Sequence, residues 1–80
     1  MKIEVLGSGC KKCHDLEAQV RAVVKELGLA TEIEHDTDMK RIAQYRVLMT
    51  PALVIDGQVK CSGRMPSAEE IKTWLGEAGQ

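Results

Sequence analysis

Two cysteines, Cys10 and Cys13, stand at the junction between segments of opposite periodicity, and that junction constrains the fold more than any other feature of the 80 residues. Upstream, Lys2 to Leu6 (KIEVL) is a short run with β-branched residues closed by Gly7-Ser8-Gly9, which predicts a strand followed by a loop. Downstream, Cys13, Leu16, Val20, Val23, Val24 and Leu27 recur at helical spacing from Cys10, and Gly28 stands where a C′ glycine ends a helix. The spacing therefore predicts a helix with Cys10 at its N-terminus.

The remaining segments are short and alternate in character. Thr31 to His35 (TEIEH) alternates weakly as a second strand, and Asp36, Thr37 and Asp38 offer competing N-caps for a helix through about Tyr45. Ala52 to Ile55 (ALVI) and Gln58 to Ser62 flank Asp56-Gly57, the signature of a hairpin. Ser67 and Glu70 form an S-x-x-E capping box ahead of a last helix that turns Ile71, Trp74 and Leu75 to one face. The order is β-α-β-α-β-β-α. Its β-α-β start predicts parallel strands joined by a right-handed crossover, and the hairpin adds antiparallel strands to the same sheet. The expected fold class is α/β, a four-stranded mixed sheet flanked by three helices, with residues 1–80 forming one domain.

Composition narrows the function. One Tyr, one Trp and no Phe leave an aliphatic core and no stacking platform for RNA bases. Eleven Lys and Arg against 12 Asp and Glu give a net charge of −1, without the basic excess that nucleic acid or an anionic membrane requires. Neither partner is expected. No apolar run approaches the roughly 18 residues of a membrane span, and the first ten residues are too polar for a signal peptide, so the expected location is cytoplasmic. Three cysteines cannot all be paired within one chain, so at least one has another task.

A thiol attacks as its thiolate, and an ordinary cysteine is mostly protonated near neutral pH. Placing Cys10 at a helix N-terminus aims unpaired N–H groups and the positive end of the dipole at its sulfur, with Lys11 and Lys12 adding charge. The two-residue spacer lets a second sulfur reach the first. Cys10 is thus read as the nucleophile and Cys13 as the thiol that resolves the mixed disulfide. Other chemistries fit the same residues. The cysteines can pack as small apolar side chains, although the two lysines argue for exposure. The thiolates can grip a soft metal, with His14 or Cys61 as a third ligand, giving a metal carrier as the alternative function. Cys10 to His14 also matches the C-x-x-C-H haem attachment pattern, but an aliphatic, strand-rich chain offers no haem pocket.

Taken together, the strand KIEVL, the loop G-S-G-C-K-K-C, Met49-Thr50-Pro51 before ALVI, the D-G hairpin and Gly63 after the fourth strand resemble the thioredoxin and glutaredoxin superfamily, and its very small redox-active disulfide members in particular. The resemblance spans almost the whole chain. It implies a thioredoxin-like fold and a thiol-disulfide oxidoreductase that reduces protein disulfides, is itself reduced by an upstream thioredoxin-reductase-like enzyme, and needs no cofactor and no metal. A monomer is expected. The resemblance further implies a cis Thr50-Pro51 bond beside the active cysteines, making Thr50 and Pro51 candidate substrate contacts by strand addition. It makes Glu4 a candidate proton acceptor for the resolving thiol. Two lysines replace the Gly-Pro spacer common in thioredoxins, and the Cys-Pro-Tyr-Cys of glutaredoxins is absent. Copper chaperones with G-M-x-C-x-x-C follow a β-α-β-β-α-β order instead.

Cys61 alternates with Val59 on the fourth strand and is expected to face the core, while Tyr45 and Trp74 are read as core anchors with wet polar tips. Lys60 and Arg64 are read as solvated strand-end cations, with substrate contact as the minority reading, and His14 as a surface residue.

Overall fold

The structure, a computed structural model, describes residues 1–7, 11–47 and 49–78, side chains included except that of residue 78. The elements follow the expected order: β1 (Lys2–Leu6), α1 (Lys11–Leu27), β2 (Glu32–Asp36), α2 (Met39–Gln44), β3 (Ala52–Ile55), β4 (Gln58–Ser62) and α3 (Ala68–Ala78). One four-stranded sheet runs β2-β1-β3-β4. β1 and β2 are parallel, while β3 is antiparallel to both β1 and β4.

Local chemistry sets the element ends. Gly28 takes φ +67° after α1, its N–H donates to the Lys25 carbonyl at 3.2 Å, and the Leu29 N–H donates to the Val24 carbonyl at 3.1 Å. These are the two hydrogen bonds of a Schellman cap, and they need a residue comfortable at positive φ. Asp56 and Gly57, at φ 49° and 82°, form the two-residue turn of the β3–β4 hairpin, whose left-handed backbone matches the twist of paired strands. At α3 the Glu70 N–H donates to Ser67 Oγ at 3.1 Å and the Ser67 N–H donates to Glu70 Oε1 at 3.2 Å, completing the capping box. Arg64 grips the same carboxylate with both terminal nitrogens, at 3.1 and 2.8 Å. With Ser67, it holds Glu70 down at about 2.

One expected strand shifts by a residue, and α2 ends at about the expected place. β2 is Glu32–Asp36 rather than Thr31 to His35, because parallel pairing aligns Lys2 with Glu32 and Leu6 with Asp36. α2 spans six residues and stops before Tyr45, which is its C-cap. Asp38 wins the capping competition by accepting from the Lys40 N–H at 2.9 Å, while Asp36 accepts from the Asp38 N–H at 3.0 Å.

The sheet separates two apolar clusters. On one side Ile3, Val5, Leu53, Ile55 and Cys61 pack against Leu16, Val20, Val23 and Val24 of α1 and Ile71 and Leu75 of α3. On the other, Leu6, Ala52 and Val54 meet Ile42 of α2, with Tyr45 and Val47 at the margin. Strand alternation produces this division, since successive residues of β1 point to opposite faces. Trp74 is half-buried against the larger cluster, as expected of an amphipathic anchor. Among the described residues no helix is long and apolar enough to cross a membrane.

Candidate functional site

β1 delivers the chain to the point where α1 begins, so the C-terminal end of a central strand and the first turn of a helix share one end of the sheet. Ligand and reaction sites of open α/β sheets gather at such ends. Cys13 lies in that first turn and is fully buried. Cys10 precedes Lys11, the first residue of α1, and lies outside the described residues. Lys11 and Lys12 are exposed on the opening turn.

Gly7 continues the alternation of Ile3 and Val5 and is buried facing α1. A methyl group placed on it would overlap Cys13 Sγ and come within 3.4 Å of Cys13 Cβ and 3.7 Å of Thr50 Cβ. The missing side chain is therefore the space the thiol occupies. Gly7 is also held in place, because its N–H donates to the Asp36 carbonyl at 3.0 Å. Sequence reasoning assigns Gly7 to a flexible loop. The signal that identifies it as a packing residue is its parity with Ile3 and Val5.

Thr50 is exposed and Pro51 buried, and the bond between them is cis, as the resemblance implies. The Pro51 carbonyl accepts from the Gly63 N–H at 2.8 Å, tying the start of β3 to the end of β4. Gly63 takes φ +74°, and an added Cβ there would lie 2.9 Å from Met49 Cβ. Met49 and Met65 are exposed apolar side chains on the loops that follow α2 and β4. The structure thus brings Cys13, Gly7, Thr50 and Pro51 to one end of the sheet.

Glu4 occupies different surroundings. It shares the parity of Leu6 and pairs in register with Val54, both in the cluster beneath α2. Its side chain is buried, with Arg41 at 3.1 Å and Lys2 at 3.5 Å from Oε1. Burial pushes the carboxyl up, but Tyr45, Arg41 and Lys2 outweigh it and hold the group below its ordinary value. The same contact raises the Tyr45 hydroxyl. Arg41 also pairs with Asp36 at 2.7 Å. A carboxyl with a lowered folded pKa stabilises the fold fully above its unfolded value near ~4.3, and that contribution disappears as pH falls through the folded value. Glu4→Gln is expected to cost about 1 kcal/mol at pH 7, because Arg41 and Lys2 stand half in water and screen the attraction. Urea unfolding at pH 7 and pH 3 checks this: the difference between variant and wild type narrows in acid, and a gap unchanged by pH rules out an ionic origin.

Cys61 is buried in the main cluster, as its alternation predicts. Burial pushes its thiol up, against a smaller opposing effect from the Leu53 backbone and Arg64, which suits an inert packing residue. Lys60 Nζ meets Gln58 Oε1 at 3.2 Å, and Arg64 is committed to Glu70. His14 is exposed, and its ring meets that of His35 edge to face with centroids 5.3 Å apart. Sequence reasoning does not bring these two residues together.

Residues 1–76 match the family model described as Thioredoxin domain. A protein named Thioredoxin from Methanothermobacter thermautotrophicus is 43% identical over 75 residues, 94% of this chain and 97% of its own length. A second protein named Thioredoxin, from Methanocaldococcus jannaschii, is 40% identical over 73 residues, 91% of this chain and 84% of its own. These likenesses support a redox protein and do not favour the metal carrier.

Proposed function

The chain belongs to the thioredoxin family, and from that premise we propose that it is a small thiol-disulfide oxidoreductase that reduces protein disulfides through Cys10 and Cys13. The observation that carries the reading is the seat of Cys13, a thiol packed against side-chain-free Gly7 with exposed Thr50 beside it. A resolving thiol needs to be sheltered, and this one is buried in the first turn of α1, three residues after Cys10 in the sequence.

In the proposed cycle the Cys10 thiolate attacks one sulfur of a substrate disulfide. A mixed disulfide forms, and the other substrate sulfur leaves as a thiolate that takes up a proton. Cys13, having lost its proton, then attacks the Cys10 sulfur, forming the Cys10–Cys13 disulfide and releasing the second substrate thiol. Two electrons and two protons have passed to the substrate. A dithiol reductant, supplied in the cell by an upstream thioredoxin-reductase-like enzyme, restores the starting pair. Thr50 and Pro51 contact the substrate segment flanking its cysteine, with exposed Met49 offering apolar surface nearby. Glu4, which the resemblance offers as acceptor for the Cys13 proton, faces the α2 side of the sheet and is paired with Arg41 and Lys2, whereas Cys13 packs on the α1 side, so in this proposal its role is indirect. That part requires the resolving step to slow in Glu4→Gln, and an unchanged rate removes it. The protein works as a single-domain monomer in a reducing compartment such as the cytosol, where a dithiol carrier is kept reduced.

The test is catalysed reduction of a protein disulfide with dithiothreitol as electron source. The wild type is expected to accelerate it, and Cys10→Ser/Cys13→Ser to leave only the uncatalysed rate. Equal acceleration by both proteins contradicts the proposal.

A further inference from the structure

The flank of α1 that faces the outer strand carries a group of side chains the redox proposal does not use. His14 and Glu17 are three residues apart on α1 and therefore share a face. His35 lies next to the end of β2 and, by alternation with Ile33, points to the α1 side of the sheet. The donor atoms of all three lie within 4.8 Å of one another. We propose that His14, Glu17 and His35 form a binding site for a borderline divalent metal ion, Zn²⁺ in the first place.

Three features support the assignment. Two imidazoles and one carboxylate make a donor set that suits zinc and its neighbours rather than calcium or magnesium, which prefer oxygen alone. Ligands on a tetrahedral zinc at about 2.0–2.1 Å lie roughly 3.3 Å apart, so closure needs on the order of 1.5 Å of movement. Exposed His14 has that freedom, and water completes the shell. Second, His35 Nε2 is buried with no hydrogen-bond partner among the described residues. A buried nitrogen left without a partner is costly, so the cluster contains a polar group whose binding capacity is unused. Third, little competes for Glu17. Among the described residues its ion pair is with Arg21 at 3.5 Å on the exposed helix surface, at the outer limit of a hydrogen bond. The three ligands come from two elements separated by the β-α-β crossover, so the site exists only in the folded chain, and an ion bound there ties the first turn of α1 to the end of β2.

The thiols are the obvious rival ligands, so the experiment removes them. Zn²⁺ is titrated by calorimetry into the full chain carrying Cys10→Ser, Cys13→Ser and Cys61→Ser, with far-UV circular dichroism confirming its fold. The proposal expects one Zn²⁺ per chain at micromolar affinity, weakened about tenfold or more by either His14→Ala or His35→Asn. Zinc uptake that disappears with the cysteines, or that ignores both imidazole substitutions, overturns the site. A second readout uses the reduced wild-type chain, in which Zn²⁺ is expected to shift the imidazole proton resonances of His14 and His35. His14→Ala, an exposed substitution, keeps that readout interpretable, and His35 resonances that shift equally in its presence contradict the shared site.

Discussion

Cys13→Ser is expected to arrest the protein as a covalent adduct with its substrate. With Cys10 still able to attack, the first exchange proceeds, but the resolving thiol is gone and the mixed disulfide accumulates. Turnover should fall to the uncatalysed rate while an adduct of protein plus substrate appears in a mass spectrum taken without reductant. Cys10→Ser is expected to lose turnover without any adduct, because buried Cys13 is poorly placed to meet a protein disulfide first. The contrast assigns the two roles. An adduct that forms in Cys10→Ser and not in Cys13→Ser would reverse them, and Cys61→Ser, which alters a thiol enclosed in the core, is expected to behave as wild type in both respects.

Gly7→Ala carries the second large effect, and it acts through packing. Its added methyl group lands on Cys13 Sγ, a short buried side chain at the head of a 17-residue helix, so neither partner yields cheaply. Overpacking of this kind costs typically about 1–3 kcal/mol, and relief by displacing the thiol moves it away from the position proposed for resolution. Gly7→Ala should therefore unfold at lower urea concentration and also resolve mixed disulfides more slowly. Gly76→Ala provides the opposite sign. It lies within α3 with nothing inside 4 Å of an added Cβ, so alanine there is expected to stabilise by up to about 1 kcal/mol. Equal stability of Gly7→Ala and wild type contradicts the seat described for Cys13.

Much of the architecture was legible where a local rule acts alone. β1, β3 and β4 have the expected limits, because short extended segments bounded by glycine or an Asp-Gly turn leave little choice of ends. Gly28 and the Ser67–Glu70 box end and begin helices through their own hydrogen bonds, so sequence suffices there too. The outer strand was harder. Glu32–Asp36 alternates only weakly, and its register is set by pairing with β1, a contact no local pattern contains. α2 is short because Asp36 is still paired in the sheet and the helix starts only after Asp38 caps it.

The site was legible in part for the same reason. The C-x-x-C motif and the Thr-Pro step announce themselves by residue type, and the cis bond followed from the family resemblance. Gly7 read as loop because a glycine carries no hydrophobic signal, although strand parity already turned it toward α1. His14 and His35 are separated by a whole crossover, and only the three-dimensional path of α1 across the sheet brings their rings within 5.3 Å. That Glu4 is a buried acid followed from the family resemblance, since its place in a strand alone reads as solvated. Its engagement with Arg41 and Tyr45 depended on which face of the sheet α2 covers.

The central claim is that Cys10 and Cys13 form one reversible two-electron couple. The most direct measurement equilibrates Cys61→Ser protein in graded thiol/disulfide buffers, traps free thiols by alkylation, and counts them by mass. The account predicts a single reversible transition from two free thiols to none, at a potential between about −270 and −120 mV, the range spanned by such pairs in known oxidoreductases. Two thiols that stay free across that range, or that are lost one at a time as mixed disulfides with the buffer, contradict it.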